Sequence, residues 1–267
     1  MTLLRLLLPL LCLFGLLAGC EPGKSPTQDL NLPPLETRAD SVAMHAFEYW
    51  GGPAAWASVH YLRFEFAFEP AGGERRPGRK HFWNRWTGDY RLEWAGGEDS
   101  TYVVLFNVNT REGTAYLNEA AVDSNMQADM MAQAYEAFIN DTYWLLMPTK
   151  LLDAGVHRSY EADSSDTAAD VIRLTFANVG LTPGDTYWVT VDKATGQVMH
   201  WTYVLQGRTD RPPENWDWTG YKRIDTPSGM LHVATRKQGA RGALLTDYVE
   251  MPATAPEGIF SNPQPRL

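Results

Sequence analysis

Residues 127–152 read QADMMAQAYEAFINDTYWLLMPTKLL. Apolar pairs return every four residues: Met130/Met131, Ala134/Tyr135, Phe138/Ile139, then Tyr143 and Leu145/Leu146. That recurrence predicts one long helix over Gln127–Met147 with a broad apolar face. Pro148 is expected to stop it, because proline has no N–H to donate and its ring clashes with the preceding turn. Nearly every other regular stretch has a period of two. A single long helix between two blocks of strands covers a sheet, and here it is expected to cover an apolar concave face.

Upstream, residues 38–58 predict two helical pieces, with Gly51-Gly52 ending the first and Pro53 opening the second. Leu62, Phe64, Phe66 and Phe68 then alternate with Arg63, Glu65 and Ala67. Further strands are expected at residues 80–94, broken by Thr87-Gly88-Asp89, and at 101–108 and 114–117. The connections are too short for parallel crossovers, so this is an antiparallel meander. Downstream, strands are expected at 171–176, 187–191, 198–205, 216–224, 231–236 and 244–251. Asp192–Gly196 and Asp225–Gly229 form hairpin loops ending in glycine. The fold class is therefore α+β, mainly β: about nine to eleven antiparallel strands with an N-terminal and a mid-chain helix.

The chain begins with Arg5, an apolar run Leu6–Leu17 and then Leu17-Ala18-Gly19-Cys20. Twelve apolar residues are too few for a comfortable membrane span and suit a signal peptide over residues 1–19. The tetrad resembles the lipobox of bacterial lipoproteins, which implies cleavage before Cys20 and lipidation of its thiol. Glu21, in place of aspartate, points to the outer membrane, with the body facing the periplasm. Cys12 leaves with the signal, so the mature chain holds no free thiol and no disulfide. Residues 20–37 carry four prolines and read as a tether, residues 38–251 as the folded domain, and 252–267 as an irregular tail. A net charge of −9 argues against nucleic acid as a partner.

The order of elements resembles the LolA/LolB-like superfamily of bacterial lipoprotein carriers. The residues that carry the resemblance are Gly51-Gly52 with Trp56, the segment Asn140–Pro148, and Tyr187-Trp188-Val189-Thr190-Val191-Asp192-Lys193-Ala194-Thr195-Gly196. It covers residues 38–251. The resemblance implies an unclosed β-barrel whose concave apolar face lies under helices and accommodates acyl chains of lipids or lipoproteins.

Ten Trp, twelve Tyr and ten Phe are the chief functional hint. Phe64, Phe66, Phe68, Trp83, Trp86, Tyr90, Trp94, Trp188 and Trp201 are candidates for a hydrophobic cavity, with Met130, Met131 and Phe138 on the helix above. Opposite faces of one strand cannot both contribute, and a filled aromatic core is the competing reading. His45, His60, His81, His157, His200 and His232 are scattered singly, without a metal-binding spacing. Glu119/Asp123 and Asp163/Asp166 are expected to face water. No GxSxG elbow, P-loop or dinucleotide fingerprint occurs. No cofactor is expected.

These observations favour a non-catalytic lipid-anchored protein that binds an acyl chain, lipid or lipoprotein and releases it when the central helix swings aside. The alternative is an envelope lipoprotein with a filled core that contacts another protein through rim loops, Asp210–Trp218 first among them. A hydrolase or metal enzyme whose residues meet only on folding is the third.

Overall fold

A computed structural model describes residues 28–97, 99–177, 179–208 and 210–267; the expected signal peptide and Cys20 lie outside the described residues. The elements begin with α1 (Arg38–Trp50), α2 (Gly52–Ala57), β1 (Tyr61–Pro70), β2 (Arg79–Asn84), β3 (Asp89–Gly97), β4 (Ser100–Asn107), β5 (Gly113–Leu117) and β6 (Ala120–Ala121). There follow α3 (Ser124–Lys150), β7 (Val156–Tyr160), β8 (Ala169–Phe176), β9 (Thr186–Asp192), β10 (Val198–Val204), β11 (Glu214–Thr226), β12 (Gly229–Gly239) and β13 (Gly242–Glu250).

All 13 strands form one sheet in the order β6-β5-β4-β3-β2-β1-β13-β12-β11-β10-β9-β8-β7. The end strands β6 and β7 are not neighbours, so the barrel stays unclosed, as the family resemblance implies. β1 pairs with β13 and joins the two sequence blocks in mid-sheet. The count exceeds the expected nine to eleven by β6 and β7. β6 is only two residues long, and Val156-His157-Arg158-Ser159-Tyr160 is too polar to advertise a strand.

The helices lie on the inner face. Asp123 caps α3 by accepting from the backbone N–H groups of Asn125 and Met126. The first half of α3 sets Met130, Ala134 and Ala137 on Tyr90, Leu92, Val104 and Phe106. The second half runs through the larger core, where Trp144, Leu145, Leu146 and Met147 are all buried. Pro148 does not stop the helix, which runs on to Lys150. Packing overrides the proline: Pro148, Leu151 and Leu152 are buried, and the Thr149 hydroxyl donates to the Leu146 carbonyl. At the end of α1, Gly51 has φ +143°, and a Cβ there would come within 2.6 Å of the Met230 carbonyl. Only glycine fits that approach of helix to β12.

Two regions differ from expectation. Asp210–Trp218 is not a loop with exposed tryptophans: β11 starts at Glu214, and Trp216 and Trp218 are both buried in the core. Their two-residue spacing puts them on the inner face of a strand, which outweighs the preceding prolines. Within the stretch expected as a tether, Gln28 donates from its backbone to Ala57, and Leu30 and Leu32 pack against the core. The tail after residue 251 has no helix or strand, yet it is fastened to the outer face of β2 and β3. Buried Arg91 donates to the carbonyls of Ile259, Asn262 and Gln264, while Glu93 accepts from the backbone N–H groups of Arg266 and Leu267. Phe82 and Phe260 meet edge to face at 5.7 Å.

Candidate functional site

Two features of the inner face stand out, a buried ionic network and an aromatic cavity. The network holds α3 to the sheet. Pairing of Phe64 with His81 and of Phe66 with Arg79 places the side chains of His81 and Arg79 under the helix. Asp141 of α3, 0% exposed, accepts from Arg79 Nε at 2.6 Å and Arg79 Nη2 at 2.7 Å. It also accepts from Asn140 Nδ2 at 2.8 Å. His81 Nε2 lies 3.1 Å from Asp141 Oδ2, near enough for charge but short of a well-aligned hydrogen bond. On its other side, His81 Nδ1 lies 2.7 Å from the Tyr90 hydroxyl.

Burial is the largest influence on both titrating groups. For Asp141 it opposes the charge, but the contacts with His81 and Arg79 outweigh it and hold the carboxyl below its ordinary 3.8. For His81 burial wins over the attraction of Asp141, and the imidazole stays below its ordinary 6.5, hence neutral. A depressed histidine pKa gives stability above the unfolded value that is lost as pH falls, because the unfolded chain takes up the proton first. Asp141 adds a loss only below 3.8. Stability is therefore expected to decline as pH falls from about 7.5 to 5.5, read as a falling urea midpoint. His60, lowered mainly by burial, acts in the same direction. The His81→Gln variant should show a shallower decline, and an unchanged slope would contradict the assignment to His81.

The cavity lies between the second half of α3 and strands β8, β9 and β10, with a volume of about 330 Å³. That is at the low end of the roughly 300–1,000 Å³ of small-molecule sites. Six aromatic side chains line it: Tyr143 and Trp144 from α3, Phe176 from β8, Tyr187 from β9, and Trp201 and Tyr203 from β10. Registers Trp201↔Val189 and Tyr203↔Tyr187 set these side chains on one face. The rings meet at steep angles, 86° for Tyr187–Trp201, 73° for Tyr187–Tyr203 and 66° for Phe176–Tyr187. Ile139, Leu181 and Leu205 complete the apolar part. The Tyr143 hydroxyl and Trp201 Nε1 are buried with no hydrogen-bond partner among the described residues. Burial raises the Tyr143 and Tyr187 hydroxyls well above the ordinary 10.0, so both stay protonated. At Ile139 and Leu181 the cavity meets a shallow hollow beside Met131 and Tyr135.

The residues singled out in the sequence do not form one group. Trp201 lines the aromatic cavity, and Met131 lines the adjoining hollow. Phe64 and Phe66 are buried in the larger core, with Phe68 and Trp83 packed against it. Tyr90 and Met130 belong to the smaller cluster under the first half of α3, flanked by Trp94 and Phe138. Trp86 stacks on His60 in the β2–β3 turn, ring centres 3.9 Å apart. Strand alternation puts Trp188 on the face opposite Tyr187 and Val189. Sequence reasoning missed Asp141, Arg79, Asp185 and the buried Lys237. Lys237 Nζ donates to the Ala234 carbonyl and Thr246 Oγ1 and sits 4.8 Å over the Trp218 ring. No group of three or more His, Cys, Asp or Glu placed to hold a metal occurs among the described residues. No described helix is long and apolar enough to cross a membrane.

No family model matches the chain, and no curated protein does. Solved structures similar to it include a DUF1329 family protein from Desulfovibrio piger, with TM-score 0.44 and 9% identity over 83% of this chain and 95% of that one. A putative outer membrane lipoprotein-sorting protein domain from Vibrio parahaemolyticus matches with the same values: TM-score 0.44, 9% identity, 83% and 95%. A LolA superfamily protein from Nitrosomonas europaea gives TM-score 0.39 and 9% identity over 85% of this chain and 99% of that one. At 9% identity the likeness is one of chain path and does not extend to residues or ligands.

Proposed function

We propose that this chain is a lipid-anchored protein of the outer membrane, facing the periplasm, that binds one acyl chain or single-chain lipid without catalysis. The observation that carries the reading is the aromatic cavity beside α3, whose wall is largely apolar and open to one side. Each methylene moved from water into such a wall gains about 0.8 kcal/mol, so a chain binds without chemistry. The volume suits one chain or one headgroup, not a triacylated lipoprotein terminus. Cys20 is proposed as the lipidation site, on the strength of Leu17-Ala18-Gly19-Cys20.

Trp201 is placed in the ligand wall and Met131 on the path of the chain beyond it. A swing of the whole of α3 fits poorly with Asp141 locked beneath it and with the burial of Trp144–Met147. Ligand exchange is proposed at the open side, beside half-exposed Leu181. The reading is tested by titrating the chain with decyl maltoside while following tryptophan fluorescence, since Trp144 and Trp201 both line the cavity. Ile139→Asp, a change at a partly exposed wall residue, should weaken binding by about tenfold or more, because a carboxylate there must be desolvated. Unchanged affinity would place the ligand elsewhere.

A further inference from the structure

We infer that the cavity selects a ligand carrying a substituted ammonium group, held by the aromatic wall and by Asp185. The inference rests on the reading of the cavity as a ligand site and names the headgroup it takes. Asp185 is 2% exposed and is the one charged residue among the described residues that line the cavity; no lysine, arginine or histidine does. Its partners are all neutral. Oδ2 accepts from Thr182 Oγ1 at 2.5 Å and the Tyr187 hydroxyl at 2.8 Å, and Oδ1 from the Gln206 backbone at 2.7 Å. A carboxylate has about four acceptor positions, so Oδ1 keeps one free. A buried negative charge without a counter-ion is costly, and a cation entering the cavity would supply the counter-ion.

The aromatic rings support the same ligand. Ring faces are electron-rich, and several rings at steep angles around one space hold a cation from several sides. Tyr187, Trp201 and Tyr203 pack on one another, with centres 5.1 to 6.0 Å apart, and all three line the cavity. Alkyl groups on the nitrogen would meet the apolar part of the wall, which favours a substituted ammonium over a bare metal ion. A cavity meant for hydrocarbon alone gains nothing from a buried carboxylate. Asp185 also disfavours a fatty-acid carboxylate, which would face it with no basic residue among the lining residues to offset the repulsion.

The described residues share one sheet and its core, so the test uses the soluble chain from residue 21, without the lipidated cysteine. Three probes with the same decyl chain, decyltrimethylammonium, decyl maltoside and decanoate, are titrated below micelle formation at constant ionic strength. The inference expects the ammonium probe to bind at least tenfold tighter than either of the others. In D185N that preference should fall below threefold, the loss falling chiefly on the ammonium probe. Tyr203→Leu should reduce the preference at least fivefold and serves if D185N does not fold. Equal affinity for all three probes would overturn the inference and leave the acyl-chain reading standing, as would a preference for decanoate. Failure of all three to bind would remove both.

Discussion

Replacing Arg79 by alanine is expected to destabilise the fold by about 3–5 kcal/mol, the usual cost of leaving a buried ionic partner, here Asp141, unmatched. The carboxylate is fully buried and joins two elements far apart in the chain, Arg79 of β2 and its own helix α3. Without the Arg79 guanidinium, the carboxylate keeps its burial, loses both of those hydrogen bonds and retains only the Asn140 amide and the neighbouring His81. Arg79 is partly exposed and can turn to water once Asp141 is gone, so Asp141→Ala should cost less than Arg79→Ala. Urea denaturation of the two single variants and the double variant measures this directly. The double variant should be less destabilised than the sum of the singles. A loss below about 1 kcal/mol for Arg79→Ala would show that packing alone holds α3.

Trp144→Ala should also cost about 3–5 kcal/mol, for a different reason. Its indole lies between Trp201 at 4.4 Å and Trp216 at 5.2 Å, so truncation removes large apolar area and leaves a void that the neighbours cannot fill. The void would open into the existing cavity. Ligand selectivity is then expected to loosen towards bulkier chains while stability falls. Thermal melts with and without amphiphile separate the two effects. A near-wild-type melting temperature would mean that α3 repacks onto β10 and β11.

Much of the fold was legible because its strands alternate cleanly. Leu62, Phe64 and Phe66 face inward while Arg63 and Glu65 do not. The Asp192–Gly196 loop stands where its sequence places it, whereas the second hairpin turns on Pro227-Ser228 alone, Thr226 pairing with Gly229. Gly51 announced a helix end because no other residue tolerates that backbone. The misreadings also have physical causes. Pro148 is a local signal overruled by burial on all sides. The strand Val156–Tyr160 is polar because Arg158 is committed to Asp40 and to the Leu151 and Val156 carbonyls, not to the core. Trp216 and Trp218 carried the period of a strand, but the neighbouring prolines suggested a loop.

The site was less legible than the fold. Aromatic content pointed to a cavity without saying which residues meet, since Tyr187, Trp201 and Tyr143 are brought together only by strand register and by the seat of α3. Asp185 stands in a short Pro-Gly-Asp turn that reads as solvated, and no local pattern marks it as buried. Arg79 and Asp141, 62 positions apart, become partners only through tertiary packing.

Native mass spectrometry of the mature chain, followed by organic extraction, tests the central claim most directly. The account predicts an added mass in near-stoichiometric amount that extracts as a single-chain amphiphile and that is lost in Ile139→Asp. A clean mass, unchanged after incubation with each decyl probe, would contradict it.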